Sequence, residues 1–201
     1  MSWLEIAGVA TTFLAIWLTA KRRMLCWPFN LLACALYFKL FLDVRLYADM
    51  TLQALFAAGI LYGWIEWARG RDETGEVMVA PLAGQHAAVA LAAGAAGAVA
   101  IGWFTSRYTD AALPWIDGTL TSFSLVAQYW GARRHAANWL LWIVVDVAYV
   151  GMFVFKGLLL TGGLYAAMVV LAIIGYRRWI NADGSDVQPM PDRRSAEANG
   201  A

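Results

Sequence analysis

The chain alternates long apolar stretches with short polar ones. Runs dominated by Ala, Leu, Val, Ile, Phe and Trp recur at 4–20, 27–42, 46–67, 81–104, 114–131, 139–155 and 158–179. Each approaches the roughly 20 residues that carry a helix across the hydrocarbon core of a bilayer. None alternates with period two, so barrel strands are not indicated. The pattern predicts an all-α membrane protein with seven transmembrane helices. Composition agrees, with 61% hydrophobic and only 14% charged residues, where a soluble domain carries about a quarter charged. The first run does not read as a cleavable signal, because no positive charge precedes it, Glu5 lies at its start and Lys21-Arg22-Arg23 follows it. The polar stretch 181–201 reads as a disordered tail.

Charge sets the expected orientation. With the N-terminus outside, Lys21, Arg22, Arg23, Arg69, Arg71, Arg133, Arg134, Arg177 and Arg178 fall on the cytoplasmic side, and the tail adds Arg193 and Arg194. Only Lys39, Arg45, Arg107 and Lys156 fall opposite, where Lys39 and Lys156 are expected to snorkel to the outer surface. That bias predicts a multi-pass protein of the cell inner membrane, N-out and C-in, in contact with membrane lipid. A net charge of +1 gives no footing for nucleic acid. Cys26 and Cys34 share one predicted helix and match no disulfide, zinc or redox spacing, so neither metal nor cofactor is expected.

A repeat is hidden in the tryptophans. Sliding the chain along itself by 112 residues sets Trp3 on Trp115, Trp27 on Trp139 and Trp67 on Trp179, without a gap. Arg22 falls on Arg134, Tyr37 on Tyr149, Phe41 on Phe153 and Gly63 on Gly175, with Glu5 near Asp117 and Lys21 near Arg133. Three tryptophan pairs under one shift indicate a duplication. Each unit holds three helices, which alone would invert the second copy; the additional segment 81–104 restores its direction. The expected architecture is a 3+1+3 parallel-repeat arrangement resembling the SWEET sugar carriers. Its parts are a first repeat over 1–68, a cytoplasmic loop and linker helix over 69–113, a second repeat over 114–180 and the tail 181–201. The linker's Ala and Gly permit close packing, and it is expected to be a spacer.

Folds of two equivalent halves bind cargo at their seam near the midplane. Trp139, Trp142, Asp146 and Tyr149 form one helical stripe at i, i+3, i+7 and i+10. Asp146 lies about 12 Å along the helix from Asn138, near mid-bilayer. A carboxylate there costs about 2.5–3.5 kcal/mol on insertion scales and is expected to face the bundle interior. Its alternative role is a structural hydrogen bond to Thr119, Thr121, Ser122 or Ser124. Trp27, Trp67, Trp139 and Trp179 fall near the cytoplasmic ends, where an interfacial belt is the expectation. Trp142 lies one turn deeper, and its ring beside a carboxylate suits a flat cation. In the first half Asn30 takes the position of Trp142, Cys34 that of Asp146 and Tyr37 that of Tyr149. Gln53 and Gln128 are further embedded amides, able to read hydroxyls or to join helices.

Segments 27–67 and 138–179, with WPFN, RLYAD, LYGW, NWxxW and KGLxLT, resemble the two halves of the PnuC family of vitamin carriers. The resemblance runs from about residue 2 to 180. It implies nicotinamide riboside, a vitamin B3 form feeding NAD biosynthesis, as the small-molecule substrate. It further implies facilitated diffusion, a homotrimer, and a functional link to a cytosolic nicotinamide riboside kinase that traps the cargo. The family's WxxWxxxN signature falls on Trp139, Trp142 and position 146, where this chain has Asp146 in place of asparagine. Sister branches carry thiamine, whose aminopyrimidine suits a carboxylate, or riboflavin.

Other classes fit less well. His86 and His135 lie at or beyond the membrane edge without H-E-x-x-H or H-x-x-E-H spacing, and no G-x-S-x-G occurs, so an enzyme is not expected. No G-x-x-x-x-G-K-[ST] loop supports pumping. A structural or assembly subunit without transport activity would leave the stripe of Trp142 and Asp146 unexplained.

Overall fold

Every apolar run becomes a helix. The computed structural model describes residues 3–43, 47–71, 77–109, 113–155, 157 and 159–185. Among these the chain forms α1 (Trp3–Ala20), α2 (Cys26–Asp43), α3 (Tyr47–Arg69), α4 (Gly84–Tyr108), α5 (Pro114–Ala132), α6 (Ala137–Phe155) and α7 (Leu159–Ser185). By length and composition alone, three of them are fit to cross a membrane: Gly84–Tyr108, Ala137–Phe155 and the Leu159–Ala182 part of α7. Of the others, the Ile6–Ala20 part of α1 is apolar but short, while polar residues interrupt the apolar ones elsewhere, such as Lys39 and Asp43 in α2 or Asp117 and Gln128 in α5. Outward faces stay apolar, with Leu32, Leu61, Val144, Val147 and Leu160 exposed. The seventh helix continues through Asn181 to Ser185, into the stretch expected to be disordered. Residues 186–201 with Arg193 and Arg194, and likewise Arg45 and Lys156, lie outside the described residues. Lys39 pairs with Asp43 one turn on.

The helices pack in a closed order. α1 lies on α2, α2 on α3, α3 on α5, α5 on α6, α6 on α7, and α7 returns to α1. Helix α4 sits outside this ring, against α5 alone. Small residues make that contact: a Cβ added to Gly118 would stand 2.7 Å from the Gly102 backbone nitrogen, and Ser122 Oγ donates to Gly94 O at 2.7 Å.

One end of the ring carries Lys21, Arg22, Arg69, Arg133, Arg134, Arg177 and Arg178, and is here termed the basic end. There α1 and α5 terminate alike. Arg22 and Arg134 take left-handed backbone, with φ of 54° and 65°. The following amides fold back, Arg22 to Thr19 and Arg23 to Leu18, Arg134 to Gly131 and His135 to Trp130. This is a Schellman closure, made by arginine at about 1 kcal/mol of backbone cost. The arginine side chains then hold the chain that joins α3 to α4. Arg22 Nη1 donates to Val77 O at 2.9 Å, and Arg134 Nη1 to Gly70 O at 3.0 Å and Met78 O at 3.4 Å. Ala80 N–H donates to Arg134 O at 3.0 Å. Val77 is thereby pressed into the core, 1% exposed.

The four tryptophans at this end do not form an interfacial belt. Trp67 and Trp179 are 0% and 1% exposed, and Trp27 and Trp139 are buried as well. Trp27 meets Trp67 edge-on at 5.1 Å, Trp67 meets Trp179 at 5.7 Å, and Trp139 meets Trp179 edge-on at 5.7 Å. Two of these indoles come from α2 and α3 and two from α6 and α7, and they converge inside the ring, so they pack on one another. Trp67 Nε1 donates to Gly131 O at 3.0 Å, and Trp179 Nε1 to Thr19 O at 3.2 Å. Donors and acceptors are both related by the shift of 112, so α3 holds α5 and α7 holds α1 with the same bond.

Candidate functional site

Deeper than the tryptophan chain, α6 presents its polar stripe to the ring interior. Asp146 is 5% exposed. Among the described residues no hydrogen bond or ion pair reaches its carboxylate. The hydroxyls that offered a structural explanation are engaged elsewhere. Thr119 donates to Trp115 O, Ser122 to Gly94 O and Ser124 to Leu120 O, while Thr121 and Ser124 face the Tyr149 phenol. A buried carboxylate without a partner is costly, and the cost is removed when a bound molecule supplies the partner.

The surrounding rings are ordered. Trp142, half-buried, touches both core clusters and so links the tryptophan chain to the layer of Leu120, Val145 and Met152. Tyr149 stacks on Phe153 at 6.0 Å and on Tyr165 of α7 at 4.7 Å. Tyr165 also stacks on Phe153 at 5.2 Å, and it lies within electrostatic reach of Asp146, Tyr37 and Asp117. In the first half Tyr37 stacks on Phe41 at 6.0 Å. Its ring lies against Gly8, where an added Cβ would come within 3.1 Å.

The structure therefore brings together Tyr37, Asp146 and Tyr149, with Trp142 adjoining. Trp139 belongs to the same stripe, but its indole lies in the tryptophan chain on Gly175, where an added Cβ would stand 2.7 Å from it. Asn30 is half-buried and turns its amide back to Cys26 O at 2.8 Å. Gln53 is half-buried on α3. Gln128 reaches across the α3–α5 contact, 3.5 Å from a Cβ built on Gly59. Cys26 and Cys34 are unpaired. No group of three metal-ligating side chains occurs among the described residues. Sequence reasoning missed Tyr165, although the repeat points to it: the shift of 112 sets it on Gln53.

Known proteins share this framework. Residues 2–181 match the family model described as nicotinamide mononucleotide transporter. The chain is 25% identical to the nicotinamide riboside transporter PnuC of Escherichia coli, over 90% of this chain and 87% of that one. It is 28% identical to the riboflavin/roseoflavin transporter RibM of Streptomyces davaonensis, over 94% and 89% respectively. A crystal structure of the vitamin B3 transporter PnuC superimposes with a TM-score of 0.71 at 26% identity, covering 90% of this chain and 82% of that one. With its family match running from end to end of the helical ring, this chain belongs to the PnuC family of membrane vitamin transporters.

Proposed function

We propose that this protein carries nicotinamide riboside across the cell inner membrane by facilitated diffusion, with net uptake drawn by a cytosolic kinase that phosphorylates the cargo. All seven helices cross the bilayer in a 3+1+3 arrangement of parallel repeats. The basic end faces the cytoplasm, the N-terminus lies outside, and three copies assemble as a homotrimer. The observation that carries this reading is the buried Asp146, without a partner among the described residues, beside Trp142, Tyr149 and Tyr37 in a member of this family. Nicotinamide riboside brings a pyridinium cation for the rings, a carboxamide whose N–H donates to the Asp146 carboxylate, and a ribose for Asn30, Gln53 or Gln128. A cation against a desolvated aromatic face is stabilised by about 2 kcal/mol.

The path to the basic end is closed below this site. The tryptophan chain spans the ring there, and Val77 seals it from the α3–α4 strap. Release of cargo to that side requires the halves to rock apart, which breaks an indole-to-carbonyl bond that crosses between them. Such motion of one repeat against the other is the usual form of alternating access.

Thiamine is the second reading, favoured by one residue. Asp146 stands where the family signature has asparagine, and a carboxylate accepts well from an aminopyrimidine. Equilibrium binding to purified protein, with nicotinamide riboside, thiamine and riboflavin side by side, separates these. Tight binding of the riboside alone supports the proposal, and tight binding of thiamine alone replaces it. Binding of none returns the protein to a structural or assembly role.

A further inference from the structure

Helices α1 and α7 pack together, and the outward face of each ends in positive charge. On α1, Leu14, Trp17 and Lys21 follow one another at i, i+3 and i+7, and on α7, Val170, Ile173 and Arg177 do the same. Leu14, Val170 and Ile173 are exposed, as are Lys21, Arg177 and Arg178. At the basic end of this seam Lys21 Nζ and the Arg178 guanidinium each stand 4.7 Å from the centre of the Trp17 ring. Two cations are thereby held to one indole, and no ion pair reaches either of them among the described residues. The shift of 112 residues carries Lys21 to Arg133 and Trp17 to Tyr129, and it carries Glu66 to Arg178. At the α3–α5 seam Arg133 Nη1 lies 3.5 Å from the Glu66 carboxylate. The α1–α7 seam keeps the cation and the ring of that arrangement and lacks its acid.

We propose that the α1–α7 seam binds an anionic phospholipid, whose phosphate lies between Lys21 and Arg178 and whose acyl chains run along Leu14, Val170 and Ile173. The headgroup supplies the negative charge that Glu66 supplies at the α3–α5 seam. Repulsion between the two cations is what draws an anion here. The indole face offsets only part of that repulsion, whereas one phosphate accepts charge-assisted hydrogen bonds from both groups. The apolar strips select a lipid over a free anion. Inorganic phosphate gains nothing from Leu14, Val170 and Ile173. A lipid keeps its chains beside them and its headgroup level with Trp17, at the depth where an indole suits the membrane interface. Basic side chains attract anionic headgroups along a whole membrane surface, and two cations fixed on one ring make this seam a defined site within that field. Bound there, the lipid ties α1 to α7.

Equilibrium binding of phosphatidylglycerol to the detergent-purified full chain, followed by native mass spectrometry, tests the site against phosphatidylcholine with the same acyl chains. Wild type should hold phosphatidylglycerol more tightly than the neutral lipid. Lys21→Gln and Arg178→Gln should each weaken it about fivefold, the share of one basic side chain near an anionic headgroup, and leave phosphatidylcholine unchanged. Arg178→Glu, which places an acid opposite Lys21, should weaken it further. Arg69→Gln removes a charge from the same end on α3, which touches neither α1 nor α7, and should leave both lipids unchanged. Inorganic phosphate at the concentration of the lipid should not displace it. Equal retention of the two lipids by wild type overturns the proposal. So does equal weakening by Arg69→Gln and Arg178→Gln, the mark of a diffuse surface charge. Displacement by inorganic phosphate overturns it in favour of a free-anion site.

Discussion

Gly175→Ala adds one methyl group at the point where α7 meets the stripe of α6. An ideal Cβ at 175 stands 2.7 Å from Cδ2, Cε2 and Cε3 of the Trp139 indole. Carbon atoms rest comfortably at about 3.5–4.0 Å, so the ring must retreat by about 1 Å. It has little room, because Trp139 is buried and also meets Trp179, one turn further along α7, edge-on at 5.7 Å. Overpacking of this kind costs about 1–3 kcal/mol, while the better helix propensity of alanine returns up to about 1 kcal/mol. Gly163→Ala isolates the second effect, since Gly163 lies on the same helix with nothing within 4 Å of its added Cβ. Intrinsic tryptophan fluorescence during thermal unfolding of the purified protein measures the difference. Gly175→Ala should unfold several degrees below Gly163→Ala, and its vitamin affinity should fall several-fold, because Trp139 shares a helix face with Trp142 and Asp146. Gly63→Ala should act in the same direction, as its Cβ would collide with the Trp27 ring in the other half. Equal melting and equal affinity for Gly175→Ala and Gly163→Ala would refute the placement of Trp139 on α7.

Trp142→Ala should leave expression intact and weaken vitamin binding about tenfold or more, as loss of a central buried aromatic does; unchanged affinity in a titration of purified protein removes Trp142 from the site. Asp146→Asn restores the family signature, so nicotinamide riboside uptake into proteoliposomes should change by no more than a single hydrogen bond, about 0.5–1.5 kcal/mol. A far larger loss would mean that the charge itself recognises the cargo. Trp67→Phe deletes the indole bond to Gly131 O and Trp179→Phe its counterpart to Thr19 O. Each should lower thermal stability by about 1 kcal/mol, and unequal effects would contradict the equivalence of the two contacts.

Much of this was legible before any coordinates. The seven helices follow from apolar run lengths, which are a local signal. The stripe of Trp142, Asp146 and Tyr149 was readable because helical periodicity alone aligns it. The burial of Trp27, Trp67, Trp139 and Trp179 was not. A tryptophan near a helix end suits either lipid headgroups or a partner helix, and only the meeting of the two halves selects the latter. Val77 was invisible for a related reason. A lone valine in a linker carries no pattern, and its burial depends on Arg22 and Arg134 holding the strap from opposite halves. Tyr165 was within reach, since the shift that paired Tyr37 with Tyr149 also pairs Gln53 with Tyr165.

The repeat also exposes a place where the halves are unequal in strength. At the α3–α5 seam Arg133 Nη1 lies 3.5 Å from the Glu66 carboxylate and 3.3 Å from the Tyr62 hydroxyl, and Tyr62 stacks on Tyr129. The shift of 112 carries Glu66 to Arg178, Arg133 to Lys21 and Tyr129 to Trp17. At the α7–α1 seam the ion pair is therefore replaced by two cations, each 4.7 Å from the centre of the Trp17 ring. Like charges held against one indole bind the seam less firmly than opposite ones. Rocking of the halves should accordingly open at α1–α7 and hinge at α3–α5. Arg178→Glu copies Glu66 into its repeat position, opposite Lys21, and should add no more than about 1 kcal/mol to the closed seam, as exposed pairs do. Uptake in proteoliposomes should then slow several-fold at saturating vitamin while binding affinity holds, and high salt should reverse the effect. Faster uptake, or a slowing that salt does not relieve, would place the moving seam elsewhere.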